Sequence, residues 1–283
     1  MQFVSYSFLL FLAVVFIVYY LVPGRFQWMV LLAASYVFYL FAGPKYLIYI
    51  MATTLTTWLA ARQIDKLKAR QELYLEENKK SLSREEKKLY KTATKKKQRL
   101  MMLGALLLNL GILAVVKYTN FAISNINAVI NLAGGKPLGF VSLVLPLGIS
   151  FYTFRALSYL IDVYRKTIPA EKNVFKFALF VSFFPQLIQG PISRFTQLES
   201  GLFSPHRLSW KRVSFGLQRI LWGYMKKMVI ADRIVIGLNT MTGDTATYTG
   251  AYVLVEVFFY ALQPYSDFSG GLDMAIGAGQ IFG

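Results

Sequence analysis

The residues best able to do chemistry stand where charge is costly. Arg155 interrupts the apolar string Phe151-Tyr152-Thr153-Phe154-Arg155, and Asp162, Tyr164 and Arg165 close the same run. Asp267 and Asp273 bracket Ser269-Gly270-Gly271, which reads as a turn beside an apolar run containing Glu256. An ionisable side chain at membrane depth is a functional candidate that needs a partner. Two readings stay open. The groups hold a polar ligand, or Arg155 and Arg165 pair with Asp162, Glu256, Asp267 or Asp273 to lock helices together. The one histidine, His206, lies in Ser204-Pro205-His206-Arg207. It has the chemistry of a general base, but this setting favours an exposed loop side chain. The chain has no cysteine. That excludes disulfides, thiolate metal sites and a cysteine acyl-enzyme, and with a single histidine no metal site is expected.

The elements that must position these residues are apolar. Of 283 residues, 55% are hydrophobic and 16% charged, and a chain this short cannot bury its long apolar runs in a soluble core. The reading is an all-α, polytopic transmembrane helical protein with re-entrant and interfacial helices. It forms one domain over 1–283, with a basic cytoplasmic segment at 62–100 inside it. Run one, Phe3 to Val22, stops at Pro23-Gly24; run two, Gln27 to Ala42, stops at Gly43-Pro44; run three is Tyr46 to Ala61. Arg62 to Arg99 carries fourteen Lys and Arg against six Asp and Glu, without Pro or Gly, and reads as a solvated or membrane-surface helix. Positive segments stay inside, so the N-terminus is expected outside.

Run four, Leu100 to Val116, crosses outward, and 117–136 is an external stretch with four asparagines. Run five, about Leu138 to Ile161, returns, interrupted by Pro146 and Gly148. Run six, about Phe177 to Ile192, holds Pro185, Gln186, Gln189, Gly190 and Pro191 and reads as re-entrant. Trp210 to Met228 follows the N-cap residue Ser209. Its apolar face and its basic face of Lys211, Arg212, Arg219, Lys226 and Lys227 suit a helix lying in the interface. Run seven is Tyr248 to Leu262, and the stretch from Met274 to Gly283 is too short to cross. The net charge of +17 would fit nucleic acid in a soluble protein. No recognition motif is present, so the partner expected is the lipid bilayer and not nucleic acid.

Four strings together resemble the membrane-bound O-acyltransferase (MBOAT) family, in its alginate O-acetylation branch: Pro146 to Phe154, Ser158 to Lys166, Phe184 to Phe195, and Tyr265 to Gly277. The resemblance implies a multi-pass enzyme of the inner or plasma membrane. Such an enzyme moves an acyl group, here acetyl, from a cytoplasmic thioester to a hydroxyl of an extracytoplasmic polysaccharide. It implies no bound cofactor. The donor would be acetyl-CoA or an acyl-carrier thioester, and there is room for an extracytoplasmic acyltransferase partner protein. Tyr152, Arg155, Gln186, Gln189, Asp267, Ser269 and Asp273 would line the passage as positioning groups. The family's catalytic histidine belongs to a Trp-His motif after the Asp-Phe-Ser-Gly segment, beyond Gly283, and His206 does not match it. The expectation is therefore a chain without a catalytic residue of its own, inactive alone. A transporter or flippase would also use broken helices and buried charge, but the sequence shows no internal half-repeat. A non-catalytic membrane subunit is the other alternative.

Overall fold

The computed structural model describes residues 3–132, 134–141, 145–244 and 246–283. The described residues are helical with no strand, so the chain is all-α. It divides into two compact units. The first comprises Met1–Phe41, Phe183–Ser193 and Gln197–Gly283; the second comprises Ala42–Ser182 and Arg194–Thr196.

In the first unit, α1 (Tyr6–Leu21) starts where Ser5 accepts from the Phe8 N–H, and it ends just before Pro23. It buries the stripe Phe8, Leu12, Val15 and Tyr19, while Leu10, Ile17 and Leu21 stay exposed. Apolar on all sides, it suits lipid better than water. The helix α2 (Gln27–Leu40) turns Leu31, Ser35 and Phe38 inward. Phe38 meets Phe8, and Phe11 meets Phe184 at 5.2 Å between ring centroids. At 16 and 14 residues these helices are shorter than runs one and two.

Run six is broken, as its prolines require. A helix α6 (Val174–Ser182) belongs to the second unit, and in the first unit a 3₁₀ turn follows at Phe184–Gln186. After α7 (Phe195–Phe203), α8 (Trp210–Tyr224) continues as a π-helical segment, Met225–Ala231, into α9 (Asp232–Gly243). Ser209 precedes α8 but makes no capping bond. The expected helix to Met228 therefore holds its α-helical spacing only to Tyr224.

The helix α10 (Ala251–Gln280) passes through Pro264 and through Ser269-Gly270-Gly271 without a break. The expected turn there is wrong, and Met274 to Gln280 is the continuation of one long helix. The glycines serve close approach instead. A Cβ on Gly216 would stand 2.9 Å from the Gly277 carbonyl oxygen, and one on Gly223 would stand 2.6 Å from that of Gly270. Gly216 and Gly223 are seven residues apart on α8, as are Gly270 and Gly277 on α10, so the two helices meet backbone to backbone at two points.

In the second unit, α3 (Leu47–Glu77) and α4 (Arg84–Leu132) form an antiparallel hairpin. Asn109, 1% exposed, donates to the Ala105 carbonyl and the Thr57 hydroxyl and accepts from Thr56. Farther along, Tyr74 packs on Tyr90 at 4.5 Å. The basic segment is thus two helical arms rather than one surface helix. Ser83 and Glu86 restart the chain with a capping box: each backbone N–H donates to the other's side chain.

The expected external stretch is helical to Leu132. Two of its asparagines grip the extended chain that follows. Asn127 exchanges two hydrogen bonds with the backbone of Leu138, and Asn120 does the same with Val141. Run five was expected from Leu138. Its residues 142–144 lie outside the described residues, and its helix α5 (Ile149–Tyr164) begins after Pro146 and a left-handed Gly148. Among the described residues one helix, α4, is both long and apolar enough to cross a bilayer by itself.

Candidate functional site

Five of the seven expected lining residues belong to the first unit and two to the second. In the second unit α5 is buried on nearly every side, because α3, α4 and α6 all pack against it. Arg155 is 1% exposed. Its Nη1 donates to the Phe180 carbonyl at 3.1 Å, and its guanidinium lies over the Phe180 ring. Tyr152, also 1% exposed, lies one turn earlier. The carboxylates considered as partners for Arg155 have other engagements. Asp162 is 3.8 Å from Arg194, Asp267 and Asp273 meet cations of the first unit, and Glu256 accepts from Thr242.

In the first unit the acidic pair of α10 meets the basic face of α8 and its π-helical extension. Asp273 takes Arg219 Nε at 3.0 Å on one oxygen and Lys226 Nζ at 2.6 Å on the other. Lys226 also donates to Ser269 at 2.8 Å, one turn earlier on α10. Lys227, its neighbour, reaches Asp267 at 2.6 Å and Asp232 at 2.9 Å. Ser269 and Asp273 therefore share a network through Lys226, while Asp267 belongs to a neighbouring one through Lys227. Gln189 lies against α10 as well, with its side chain over Gly271, where any Cβ would collide with it. Gln186 donates to Ser193 at 3.4 Å and lines a cavity of about 350 Å³ with Phe183, Gln197 and Phe282.

Beside the network is a larger cavity, about 780 Å³. Its wall is one face of α8 and its extension: Arg212, Phe215, Arg219, Trp222 and Lys226. Basic and aromatic side chains alternate there every three or four residues, opposite Asp273. Three cations against one carboxylate, with two exposed rings, suit an anionic ligand with a flat or apolar part. In the sequence these cations suit a helix at the membrane interface, and Phe215 and Trp222, off its apolar arc, suit docking against other helices; in the structure the two rings line the cavity between the cations.

His206 is half-buried rather than exposed. The Gln27 side chain clamps its backbone with two hydrogen bonds, at 2.8 and 2.9 Å. Its ring lies between the Gly201 carbonyl, at 3.0 Å, and Arg212, at 3.3 Å. Arg212 can only donate, so Nδ1 accepts and Nε2 carries the proton. A ring held this way braces a loop. Among the described residues no group of His, Cys, Asp or Glu is placed to hold a metal.

Over 97% of its length the chain is 35% identical to a probable alginate O-acetylase of Pseudomonas syringae pv. tomato, and it matches those of Pseudomonas putida and Pseudomonas aeruginosa at the same level. The chain is a homologue of the MBOAT-type alginate O-acetylases. A peptidoglycan O-acetyltransferase of Helicobacter pylori is 29% identical over 69% of the chain. The chain spans about half the length of these curated relatives, 48% and 51% of the two alginate O-acetylases from P. syringae and P. putida and 41% of the peptidoglycan enzyme. No protein-family model matches it. The four strings that carry the resemblance correspond to the start of α5, its end, the broken segment after α6 and the middle of α10.

Proposed function

We propose that this chain is part of a membrane O-acyltransferase. It would move acetyl from a cytoplasmic thioester, acetyl-CoA or an acyl-carrier thioester, to a hydroxyl of an extracytoplasmic polysaccharide. In that reaction the hydroxyl oxygen bonds to the carbonyl carbon, the carbon–sulfur bond breaks, and the thiol leaves with the hydroxyl proton. The similarity to O-acetylases over nearly the whole chain carries the proposal. The apolar outer faces of α1 and α4 and the basic hairpin arms favour a multi-pass chain with its N-terminus outside.

The first-unit contacts support positioning roles for the site residues. Asp273 and Ser269 set Arg219 and Lys226 along the large cavity, Asp267 holds Lys227 beside them, and Gln186 and Gln189 shape the broken segment. Tyr152 and Arg155 stiffen α5. All are positioning residues. A cavity wall of alternating cations and rings would attract a donor with anionic and flat parts.

The test is acetyl transfer in membranes from cells expressing the protein in its complete reading frame. Polysaccharide and acetyl-labelled CoA or carrier protein are supplied, and base-labile label on the polymer is counted. Label that appears with one donor, and that falls when Arg219→Gln is introduced, supports the reading. An unlabelled polymer with both donors overturns it.

A further inference from the structure

The second unit holds a cavity that the acyl-transfer reading does not use. It has a volume of about 470 Å³ and lies where the basic arm of α4 passes the end of α5. Lys91 and Lys95 come from α4, and Arg165 and Lys166 from the end of α5. Gln71 of α3, Gln98 and Tyr164 complete the lining, and none of the lining residues is acidic. Four exposed cations around one hollow give it a positive potential that favours an anion. Amide and phenol groups between them add neutral donors, as oxyanion sites require.

The backbone at Lys166 makes a second, independent case. The N–H of Lys166 bonds to the Val163 carbonyl, and that of Thr167 to the Asp162 carbonyl. This is a Schellman ending, and Lys166 occupies its left-handed position with φ of 65°. Glycine suits that position because it has no Cβ. Lys166 is also the one non-glycine residue with positive φ among the described residues. A lysine stands where the local backbone favours glycine, and its side chain lines the cationic cavity.

We propose that this cavity binds the phosphate oxygens of a phosphorylated ligand. Two sources share that chemistry, the headgroup of an anionic phospholipid and a soluble phosphate ester or diphosphate. The site stands apart from the acyl-transfer reading and can fail or hold without it.

The test uses the full chain purified in neutral detergent. One arm titrates inorganic pyrophosphate by calorimetry. The other counts phosphatidylglycerol molecules retained in native mass spectrometry. Lys166→Gly and Lys95→Gln should each weaken binding about tenfold, the loss of one charge-assisted hydrogen bond. Lys80→Gln, an exposed lysine of the same hairpin outside the cavity, should leave it unchanged. Lys166→Gly should unfold at the same temperature as the parent chain or higher. Pyrophosphate binding that depends on Lys166 supports a soluble ligand. Dependence seen only with phosphatidylglycerol supports the headgroup. Absence of binding in both arms, or equal sensitivity to Lys80→Gln, overturns the proposal. So does a lower unfolding temperature for Lys166→Gly, because the lysine would then serve the fold.

Discussion

Gly223→Ala adds one methyl group where α8 touches α10. The new Cβ would lie 2.6 Å from the Gly270 carbonyl oxygen, 2.7 Å from Met274 Cγ and 2.9 Å from the Met274 nitrogen. The Met274 side chain can swing away, but the two backbone atoms can move only with α10. Reaching ordinary contact, about 3.5 Å, requires a retreat of about 0.9 Å. Overpacking of this kind costs about 1–3 kcal/mol, against about 0.5–1 kcal/mol gained when alanine replaces glycine inside a helix. Gly237→Ala on α9 is the control, since no heavy atom lies within 4 Å of its Cβ position. That variant keeps the gain without the clash. The two should therefore differ by about 1–3 kcal/mol in equilibrium unfolding in mixed micelles, followed by the fluorescence of Trp210 and Trp222 on α8. Equal stability of the two variants would refute the backbone-to-backbone crossing. The retreat should also loosen the Lys226 bonds to Asp273 and Ser269, so the Gly223 variant should lose acyl transfer along with stability.

Three further outcomes follow from named contacts. Asp273→Asn strips Lys226, whose side chain is 18% exposed, of its charge partner. The expected cost is about 1–3 kcal/mol, between that of an exposed and a buried pair, measured by the same unfolding assay; no change would detach the network from the fold. Tyr159→Phe removes the acceptor of the Glu171 N–H, at 2.7 Å. It should cost about 1–2 kcal/mol and speed amide exchange around Glu171, and unchanged exchange there would contradict the contact. In the charged arm, the Ser83 backbone N–H and then its hydroxyl hold the Glu86 carboxyl below the usual carboxylate range. A depressed folded value means that this support is complete above the ordinary glutamate range and is lost as pH falls through it and below. Amide exchange at the start of α4 should rise in that window, and Ser83→Ala, which removes the hydroxyl but keeps the backbone N–H, should weaken the pH dependence without abolishing it.

The sequence made some of this legible and hid the rest for a physical reason. Pro23, Gly43 and Pro44 end apolar runs by local chemistry, and the helices stop near them. Pro185 and Gly190 break run six for the same reason. Gly190 allows the chain to fold tightly over the backbone of Gln186. Ser269-Gly270-Gly271 misled because a glycine pair looks the same whether it turns a chain or admits a neighbour. Only α8, some fifty residues earlier, decides between the two. The partners of Asp267 and Asp273 were hidden likewise. Lys226 and Lys227 belong to a segment whose π-helical spacing departs from a regular wheel, so both can face α10. Of the candidate site, the residue types were readable, while their grouping depends on contacts between distant parts of the chain. His206 was visible as a loop residue, but its clamp by Gln27 depends on a helix 179 positions away in sequence.

The asparagine grip on 138–141 works as a gauge. Two turns of α4 from Asn120 to Asn127 rise about 10.5 Å, and three steps of extended chain from Leu138 to Val141 cover about 10 Å. The two lengths agree, so both amides can dock only in one alignment. Removing a single residue between Asn120 and Asn127, or between Leu138 and Val141, would leave one amide facing the wrong rung. Residues 138–141 are thereby fixed along their axis by a matched pair of rulers, one coiled and one straight.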